Sequence, residues 1–419
     1  MLHKDILLPK LFYGICLLIP VSFYLPQIVN SILLGLLSLL TLIRGFRKKS
    51  CFPKNQYFLL FFLLYYVCLV IGLLYTGNLK QGFFELEKRL AFALLPLIFF
   101  FSDWLTRTKF RNIIFTFIIS TCVAITYCLI YAIIENYLFG YNLFHDIRYN
   151  INYQIQWHEH GVYLPYIINM THVFMGMYIV FAIYGLVYYS VTAKKQSLVF
   201  RLLQLCLFFY FFYFLLLIGA KMAIINLVLA FLVSLLYWIF HFQGRKYRIA
   251  FILVFFVVGI VLTSVVVRQH RFQELIHYIY HPEDLKEIHP DNSITARYVI
   301  LNCSLESIRN NIWWGVGTGD LHDTMNAFYR SKGYDVWADR NYHSHNQFLD
   351  SWLMWGLPGL LVFSSMLLIP LYISIRKKYY FYSLFLILII MSCMTDSVLS
   401  GIHGIMFYTF FNALIAFSD

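Results

Sequence analysis

Long apolar segments recur along the chain and alternate with short polar stretches. A helix needs about 17–25 mostly apolar residues to cross the hydrocarbon core of a bilayer. Segments of this length predict an all-α integral membrane protein with about twelve transmembrane helices. Their approximate bounds are 7–24, 28–43, 56–76, 90–105, 113–136, 166–190, 202–219, 221–240, 249–267, 348–375, 380–398 and 402–418. The break near Gly219 is the weakest of the divisions, because 202–240 is almost continuously apolar.

One long polar segment, 268–344, follows the ninth predicted span. The chain therefore divides into membrane helices one to nine at 1–267, a large outer loop at 268–344 and membrane helices ten to twelve at 345–419. A loop of this length normally has secondary structure of its own, and SITARYVILNCSLESIRN at 293–310 has helical periodicity. We expect Arg297 and Arg309 on the two borders of one buried apolar stripe, formed by Ile294, Tyr298, Leu301, Leu305 and Ile308.

Composition and charge agree with a membrane protein and set its expected orientation. The chain is 61% apolar and only 12% charged, which excludes an ordinary soluble domain. If the N-terminus is inside, 19 of the 32 lysines and arginines fall on the cytoplasmic side against three acidic residues. Basic residues in short loops favour the cytoplasmic side. The net charge of +12 is thus explained by membrane topology, and a nucleic-acid partner is not implied.

The stretch YHSHNQFLDSWLMWGLPGLL at 342–361 changes from polar to apolar at a predicted membrane boundary. We place His345 on the first turn of the following helix, where backbone amides disfavour a positive charge on the imidazole. A neutral histidine in that position is suited to act as a general base on a membrane-bound substrate. The alternative is a helix-capping role, although Ser344 is a better cap.

Other polar residues near His345 have supporting roles in this interpretation. We expect Asp350 either to orient a histidine or to cap the helix. The helix is expected to break at Gly356-Leu357-Pro358-Gly359. Asp396 and His403 bracket the last outer turn and are expected to line the same cavity.

Four cations are candidates for neutralising an anionic substrate: Arg89, Lys221, Arg297 and Arg309. Lys221 is the one basic residue in the apolar stretch between Arg201 and Arg245, and charges inside membrane segments are usually functional. It would instead snorkel to the surface if the chain turns at Gly219-Ala220. Arg89 either contacts a phosphate or belongs to an interfacial amphipathic turn within 77–90.

Two further motifs have the composition of binding sites. Gly315-Val316-Gly317-Thr318-Gly319-Asp320 is not a dinucleotide fingerprint, because no strand precedes it. Its glycines favour a tight turn whose amides are expected to face an anion. His158 and His160 are a weak zinc candidate without a third ligand at regular spacing. The first outer turn, near Tyr24, has no carboxylate, so we expect no metal and no cofactor in the site.

One histidine and several cations on the outer face suit the transfer of a sugar from a lipid diphosphate. Arginine binds phosphate oxygens in a bidentate manner and lysine acts as a point charge, so both stabilise a leaving diphosphate. A neutral histidine removes the proton from the attacking hydroxyl. Attack opposite the leaving group inverts the anomeric centre.

The residues His345-Asn346, then Gly356 and Gly359, resemble the motif of the O-antigen ligase and polymerase superfamily, the Wzy C-terminal domain family. ARYVILNCSLESIRNNIWWGVGTGD at 296–320 and TDSVLSGIHGIMFYTFFNALI at 395–415 are similar to that family's arginine helix, glycine turn and closing helical pair. The resemblance covers roughly Lys221 to the C-terminus. It matches His345 to the family's essential histidine and Arg297 to its loop arginine, whereas Lys221 stands where the family has an arginine.

The resemblance implies an inverting, metal-independent glycosyltransferase of the GT-C type in a bacterial inner membrane, with its active site facing the periplasm. The implied donor is a glycan on undecaprenyl diphosphate, and the implied acceptor is lipid A–core. A polymerase of lipid-linked repeat units or a protein O-oligosaccharyltransferase is the close alternative. A polysaccharide or lipid transporter is the alternative from another class, and it predicts ionisable groups near the bilayer midplane and internal repeats.

Overall fold

The computed structural model describes residues 2–44, 56–102, 104–138, 163–192, 196–241 and 293–417, with isolated positions between 273 and 281. All regular elements in these ranges are helical. The predicted span 249–267 and the histidines His158 and His160 lie outside the described residues. The helices, numbered along the described chain, are α1 Leu2–Ser22, α2 Gln27–Arg44, α3 Gln56–Leu73, α4 Leu79–Lys88, α5 Ala91–Phe100, α6 Arg107–Leu138, α7 Tyr163–Tyr166, α8 His172–Thr192, α9 Leu198–Leu217, α10 Lys221–His241, α11 Ser293–Asn310, α12 Leu321–Ser331, α13 Asp335–Asp339, α14 Gln347–Arg376, α15 Tyr380–Thr395 and α16 Ile402–Phe417.

The apolar helices agree with a membrane protein. Five of them, within α2, α6, α8, α9 and α14, are long and apolar enough to cross a bilayer. Five shorter apolar helices, within α1, α3, α10, α15 and α16, coincide with further predicted spans. The break near Gly219 is confirmed, because α9 ends at Leu217, α10 begins at Lys221 and Gly219 has a φ of 59°.

The predicted span 90–105 needs correction, because α5 is only ten residues long. A helix of ten residues rises about 15 Å, about half of the hydrocarbon thickness. Its C-terminal end lies beside the end of α2, where the Arg44 guanidinium donates a hydrogen bond to the carbonyl of Phe101 at 3.2 Å. Helix α5 therefore does not form a full span by itself.

Two largely buried helices, α8 and α16, form the centre of the bundle. Aromatic side chains fill the space between them and their neighbours: the rings of Phe181 and Phe411 are 4.7 Å apart, and so are those of Tyr178 and Phe407. Glycines allow close helix packing around this centre. A Cβ atom on Gly176 of α8 would lie 2.8 Å from the Cβ of Ala220, so the start of α10 is held tightly against α8.

The apolar stripe predicted for α11 is wrong in register. Tyr298, Leu301 and Leu305 are exposed. The buried face consists instead mainly of small and hydroxyl residues, namely Thr295, Ala296, Val299, Ile300, Cys303, Ser304, Ser307 and Ile308. Hydroxyl side chains on a helix can hydrogen-bond to the preceding turn, as Ser304 Oγ does by donating to the carbonyl of Ile300. Arg297 and Arg309 are exposed.

Helix α14 breaks where the sequence predicts it. Trp355 and Gly356 have non-helical dihedral angles, and Pro358 has no amide hydrogen to continue the helical ladder. The carbonyls freed by the break accept hydrogen bonds from the glycine-rich loop. The amide of Val316 donates to Leu353 at 2.8 Å, and that of Gly317 donates to Met354 at 2.9 Å.

This pairing corrects the expectation that the loop amides face an anion. Besides Val316 and Gly317, the amide of Gly319 donates to the Thr76 hydroxyl at 2.9 Å, and that of Thr318 donates to the Gly72 carbonyl at 3.3 Å. The loop therefore joins the break in α14 to the end of α3. Its amides stabilise the fold around the site.

We predict that Gly315→Ala destabilises the protein strongly. Gly315 has a φ of 69°, and an added Cβ would lie 2.5 Å from the carbonyl oxygen of Leu353. The left-handed conformation alone costs about 1–2 kcal/mol for alanine, and the backbone overlap adds to it. Gly333→Ala is the matched control, since Gly333 has a φ of 77° and nothing within 4 Å of an added Cβ. The melting temperature in detergent should fall further for Gly315→Ala; equal values for the two variants would contradict the overlap.

Candidate active site

The candidate base, His345, lies immediately before helix α14. Its backbone has a φ of 49°, in the left-handed region, where histidine is one of the more tolerated residues. Asn346 is the N-cap, and its side-chain oxygen accepts hydrogen bonds from the amides of Phe348 and Leu349 at 2.9 and 3.2 Å. The prediction that His345 occupies the first helical turn is therefore wrong by two residues, and Asn346 is the cap that satisfies the helix amides.

Asn346 also ties this junction to the end of α15. Its side-chain nitrogen donates to the carbonyl of Met394 at 3.1 Å. Asp396 is the C-cap residue of α15. The N-cap thus brings the start of α14 and the end of α15 together, which places a carboxylate beside His345.

Asp350 holds the segment between the two histidines. It is fully buried, and its Oδ1 accepts hydrogen bonds from both the amide and the hydroxyl of Ser344. Neither role foreseen for Asp350 is seen directly, because Asn346 is the cap and Asp350 Oδ1 accepts from Ser344. Through Ser344, Asp350 holds the backbone between His343 and His345.

The central contact of the site joins His345 to Asp396. His345 Nδ1 lies 3.3 Å from Asp396 Oδ1, and the amide of Ser397 donates to the same oxygen at 2.7 Å. A carboxylate accepts, so the Nδ1 of His345 carries the proton and Nε2 keeps its lone pair. The imidazole is about one-quarter exposed, which leaves it accessible to a substrate.

His343 lies beside His345 and has the opposite tautomer. The amide of His345 donates to His343 Nδ1 at 3.1 Å, so the proton of a neutral His343 resides on Nε2. Burial lowers the pKa of His343, which favours that neutral form at pH 7. The two imidazole rings are 4.4 Å apart.

Asp396 remains ionised beside these histidines. Burial by itself raises the pKa of the Asp396 carboxyl, but the hydrogen bond with His345 and the neighbouring imidazoles hold that pKa below its usual range. A permanently charged carboxylate fixes the tautomer of His345 and stabilises the imidazolium that forms when Nε2 accepts a proton.

Asp396 and His403 do not share one cavity as the sequence suggested. His403 is buried at the start of α16, with its ring 5.7 Å from that of Phe174, and its carbonyl accepts a hydrogen bond from Tyr178 at 2.9 Å. It therefore belongs to the packing between α8 and α16.

Arg89 is buried and paired with a carboxylate that Lys88 shares. Its guanidinium forms an ion pair with Glu85 and donates to the hydroxyl of Ser400 at 3.1 Å. The side-chain oxygen of Gln347 accepts two hydrogen bonds, one from the Ser400 hydroxyl at 3.2 Å and one from the Leu399 amide at 2.9 Å. This relay connects the α4–α5 corner to the first residue of α14. The arrangement gives Arg89 a structural role close to the site.

Lys221 begins helix α10 and is half-buried. Helix α10 packs against α8 and against α15, the helix that ends beside Asp396. Gly176 near the start of α8 meets Ala220 at the start of α10, whereas Tyr188 near the end of α8 packs on Phe381 at the start of α15. The first residue of α10 therefore lies on the same side of the bundle as the end of α15. This position is compatible with a role at the site.

The remaining predicted residues divide into two groups. Arg297 and Arg309 are exposed on α11, and neither is among the described residues that contact His345 or line the cavity next to it. Gly356 and Gly359 belong to the break in α14. A Cβ on Gly356 would lie 2.2 Å from the carbonyl oxygen of Trp313, so only glycine permits this close approach.

A small cavity of about 30 Å³ adjoins the histidines. Lys88, Arg89, His322, His343 and Asp350 are among its lining residues. Its volume suits water rather than a diphosphate. A larger open groove of about 890 Å³ lies on the other side of the start of α12, between Asn78, Lys80, Asp320, Asp323 and Phe328.

Sequence reasoning did not identify Gln347, Ser344 or Ser400 as parts of the site, and it placed Asp396 only loosely. Asn346 and Asp350 lie within one helical turn of each other, so a capping motif around His345 was recognisable in the sequence. The contact between His345 and Asp396 joins positions 51 apart. Only the packing of α14 against α15 brings them together.

The fold and site together define an all-helical membrane protein with a histidine–carboxylate pair where two apolar helices meet. Residues 206–364 match the family model described as O-antigen ligase. The match confirms the resemblance drawn from the sequence, and it includes Lys221, Arg297, Arg309 and His345. The chain thus carries a segment of the O-antigen ligase and polymerase superfamily, which points to activity of that type. No curated protein matches the chain.

Proposed function

We propose that this protein is an inverting glycosyltransferase that transfers a polysaccharide from undecaprenyl diphosphate to an acceptor hydroxyl, with lipid A–core as the acceptor. The observation that carries the proposal is the pair His345–Asp396, in which Nε2 of a half-buried imidazole is available as a base. The match to the O-antigen ligase family over 206–364 supports the substrate class. The excess of basic residues in the predicted inner loops supports a site that faces the periplasm.

In the proposed reaction the acceptor oxygen attacks the anomeric carbon of the first donor sugar. The new glycosidic C–O bond forms as the C–O bond to the diphosphate breaks, and the bonding electrons leave with the diphosphate. The hydroxyl proton moves to Nε2 of His345, whose imidazolium is then stabilised by Asp396. Attack from the side opposite the leaving group inverts the configuration.

The departing diphosphate requires positive charge. Lys221 is the best-placed of the predicted cations, because it starts α10 on the side where α15 ends beside Asp396. Arg297 and Arg309 are exposed on α11, which packs against α14. They would contact the diphosphate only if the donor extends to the surface of α11. Arg89 is a weaker candidate, since it is buried and paired with Glu85, a carboxylate that Lys88 shares.

The open groove beside α12 is suited to a carbohydrate. It combines an amide, a lysine and two carboxylates with the ring of Phe328. Sugars offer hydroxyl groups for such polar side chains and C–H faces for aromatic rings. We assign this groove to glycan, and the donor lipid to the apolar helix surfaces.

A polymerase of lipid-linked repeat units, or a protein O-oligosaccharyltransferase, would use the same chemistry with another acceptor. The family match covers ligase-type and polymerase-type activity alike. One large predicted outer loop, 268–344, favours the ligase. A transporter is less favoured, because the polar pair of the site lies at helix ends.

We predict that transfer by the purified protein needs no divalent metal. With a labelled undecaprenyl-diphosphate glycan and lipid A–core in detergent, product should form at the same rate in buffer and in excess EDTA. The physical reason is that a histidine base and cationic side chains supply the proton transfer and charge neutralisation that metals otherwise provide. Activity that is lost in EDTA and restored by Mg²⁺ or Mn²⁺ would overturn this prediction.

A further inference from the structure

Three potential metal ligands converge where the start of α14 meets the end of α15. One ligand atom each from His343, His345 and Asp396 lies within 4.8 Å of the others. His345 Nδ1 is 3.3 Å from Asp396 Oδ1, and His343 Nε2 is 4.0 Å from the same oxygen. All three side chains are partly accessible, so an ion can reach them from solvent.

These distances suit a small divalent ion that prefers nitrogen and carboxylate ligands. Zn²⁺ binds histidine nitrogen at about 2.0–2.1 Å and carboxylate oxygen at about 2.0–2.2 Å in a tetrahedral arrangement. Ligand atoms of such a site are therefore about 3.3–3.5 Å apart. The His345–Asp396 distance already has this value, and a modest rotation of the His343 ring closes the remaining gap. The fourth position is left for water.

We propose that His343, His345 and Asp396 form a binding site for Zn²⁺ or a similar transition-metal ion, and that the ion inhibits the enzyme. The inhibition rests on the proposed function, whereas the binding does not. When the ion occupies Nδ1 of His345, the proton of the neutral imidazole moves from Nδ1 to Nε2 through solvent. Nε2 then carries N–H and no longer has the lone pair that accepts the proton of the acceptor hydroxyl. The ion also removes Asp396 as the partner of the imidazolium.

Coordination by His343 has a structural consequence. An ion on Nε2 of His343 requires the proton on Nδ1, so the hydrogen bond from the His345 amide to that atom is lost. The site is therefore weaker than a closed structural zinc site and is expected to exchange its ion. Exchangeable inhibition is consistent with the separate prediction that transfer proceeds in EDTA.

The test is titration calorimetry of the full-length protein in detergent with ZnCl₂, after purification on a tag without histidine. His277 and His281 form a second histidine pair, with rings 5.0 Å apart, so all proteins should carry His277→Gln and His281→Gln. In that background Asp396→Asn and His343→Gln should each weaken Zn²⁺ binding by about 10- to 100-fold or more, as even outer-shell substitutions do at metal sites. Thermal unfolding without metal shows whether each variant is folded, and Co²⁺ absorption reports the geometry of the bound ion. Unchanged affinity in both folded variants would overturn the site.

Transfer assays separate the two parts of the proposal. Zn²⁺ should inhibit transfer at the concentrations at which it binds, and EDTA should reverse the inhibition. Binding without inhibition would overturn the inhibitory role and count against His345 as the base. Failure to bind Zn²⁺ would overturn the metal site alone, because transfer in EDTA tests the proposed function separately.

Discussion

Replacing His345 by alanine should lower the transfer rate by about 10²- to 10⁴-fold, the usual contribution of a general base. The alanine variant lacks the nitrogen that accepts the proton of the acceptor hydroxyl, and Asp396 loses the group it orients. The measurement is product formed per folded molecule in the purified system. A rate for His345→Ala close to that of wild type would remove His345 from the mechanism.

His345→Asn is the control for folding, because the left-handed backbone at this position favours asparagine over alanine. It should unfold at a temperature close to that of wild type and still lack activity. Loss of activity with a preserved fold assigns the effect to chemistry. His343→Ala should be much milder than either variant, since His343 Nδ1 accepts a hydrogen bond from the backbone and does not act as the base.

Replacing Lys221 by methionine should cost roughly 30- to 1000-fold in rate, which corresponds to about 2–4 kcal/mol of transition-state stabilisation. Methionine keeps the apolar stem and removes the charge that would neutralise the leaving diphosphate. Lys221→Arg is the matched variant and should keep much of the activity, because it retains the charge and reaches phosphate oxygens.

A lysine that only snorkels to the membrane surface predicts a different pattern. Both variants would then transfer at the wild-type rate, with at most a change in expression. Equal activity of Lys221→Met and wild type would move Lys221 out of the site. Arg297 would then be the leading candidate for the diphosphate contact.

The sequence predicts the helical class, most of the apolar segments and the break in α14, because these depend on local composition and on Gly356 and Pro358. It also predicts the turn at Gly219. The length of α5 was overestimated, since the predicted span 90–105 extended across Ser102 and Asp103, whereas the helix ends at Phe100. The buried face of α11 was misread because its core contacts use serine and threonine, which a purely apolar pattern does not detect.

The candidate site was predictable only in part. His345 stands out because a polar stretch meets a membrane helix there, but its partner Asp396 comes from another helix. Arg89 looked like a substrate contact. The sequence does not show that Arg89 is buried or that it bonds to Ser400, which is 311 positions away. The loop at 315–320 looked like an anion site because the acceptors of its amides, in the break of α14 and at the end of α3, are distant in sequence.

The most direct test of the central claim is the state of the lipid-linked glycan in the native host. The gene is deleted and complemented with wild type or with His345→Asn, and glycans on undecaprenyl diphosphate are extracted and sized. We predict that long unattached chains accumulate in the deletion and with His345→Asn, and that wild type returns them to lipid A–core. Accumulation of single repeat units would identify a polymerase, and unchanged undecaprenyl-diphosphate glycans in the deletion would contradict transfer from this donor.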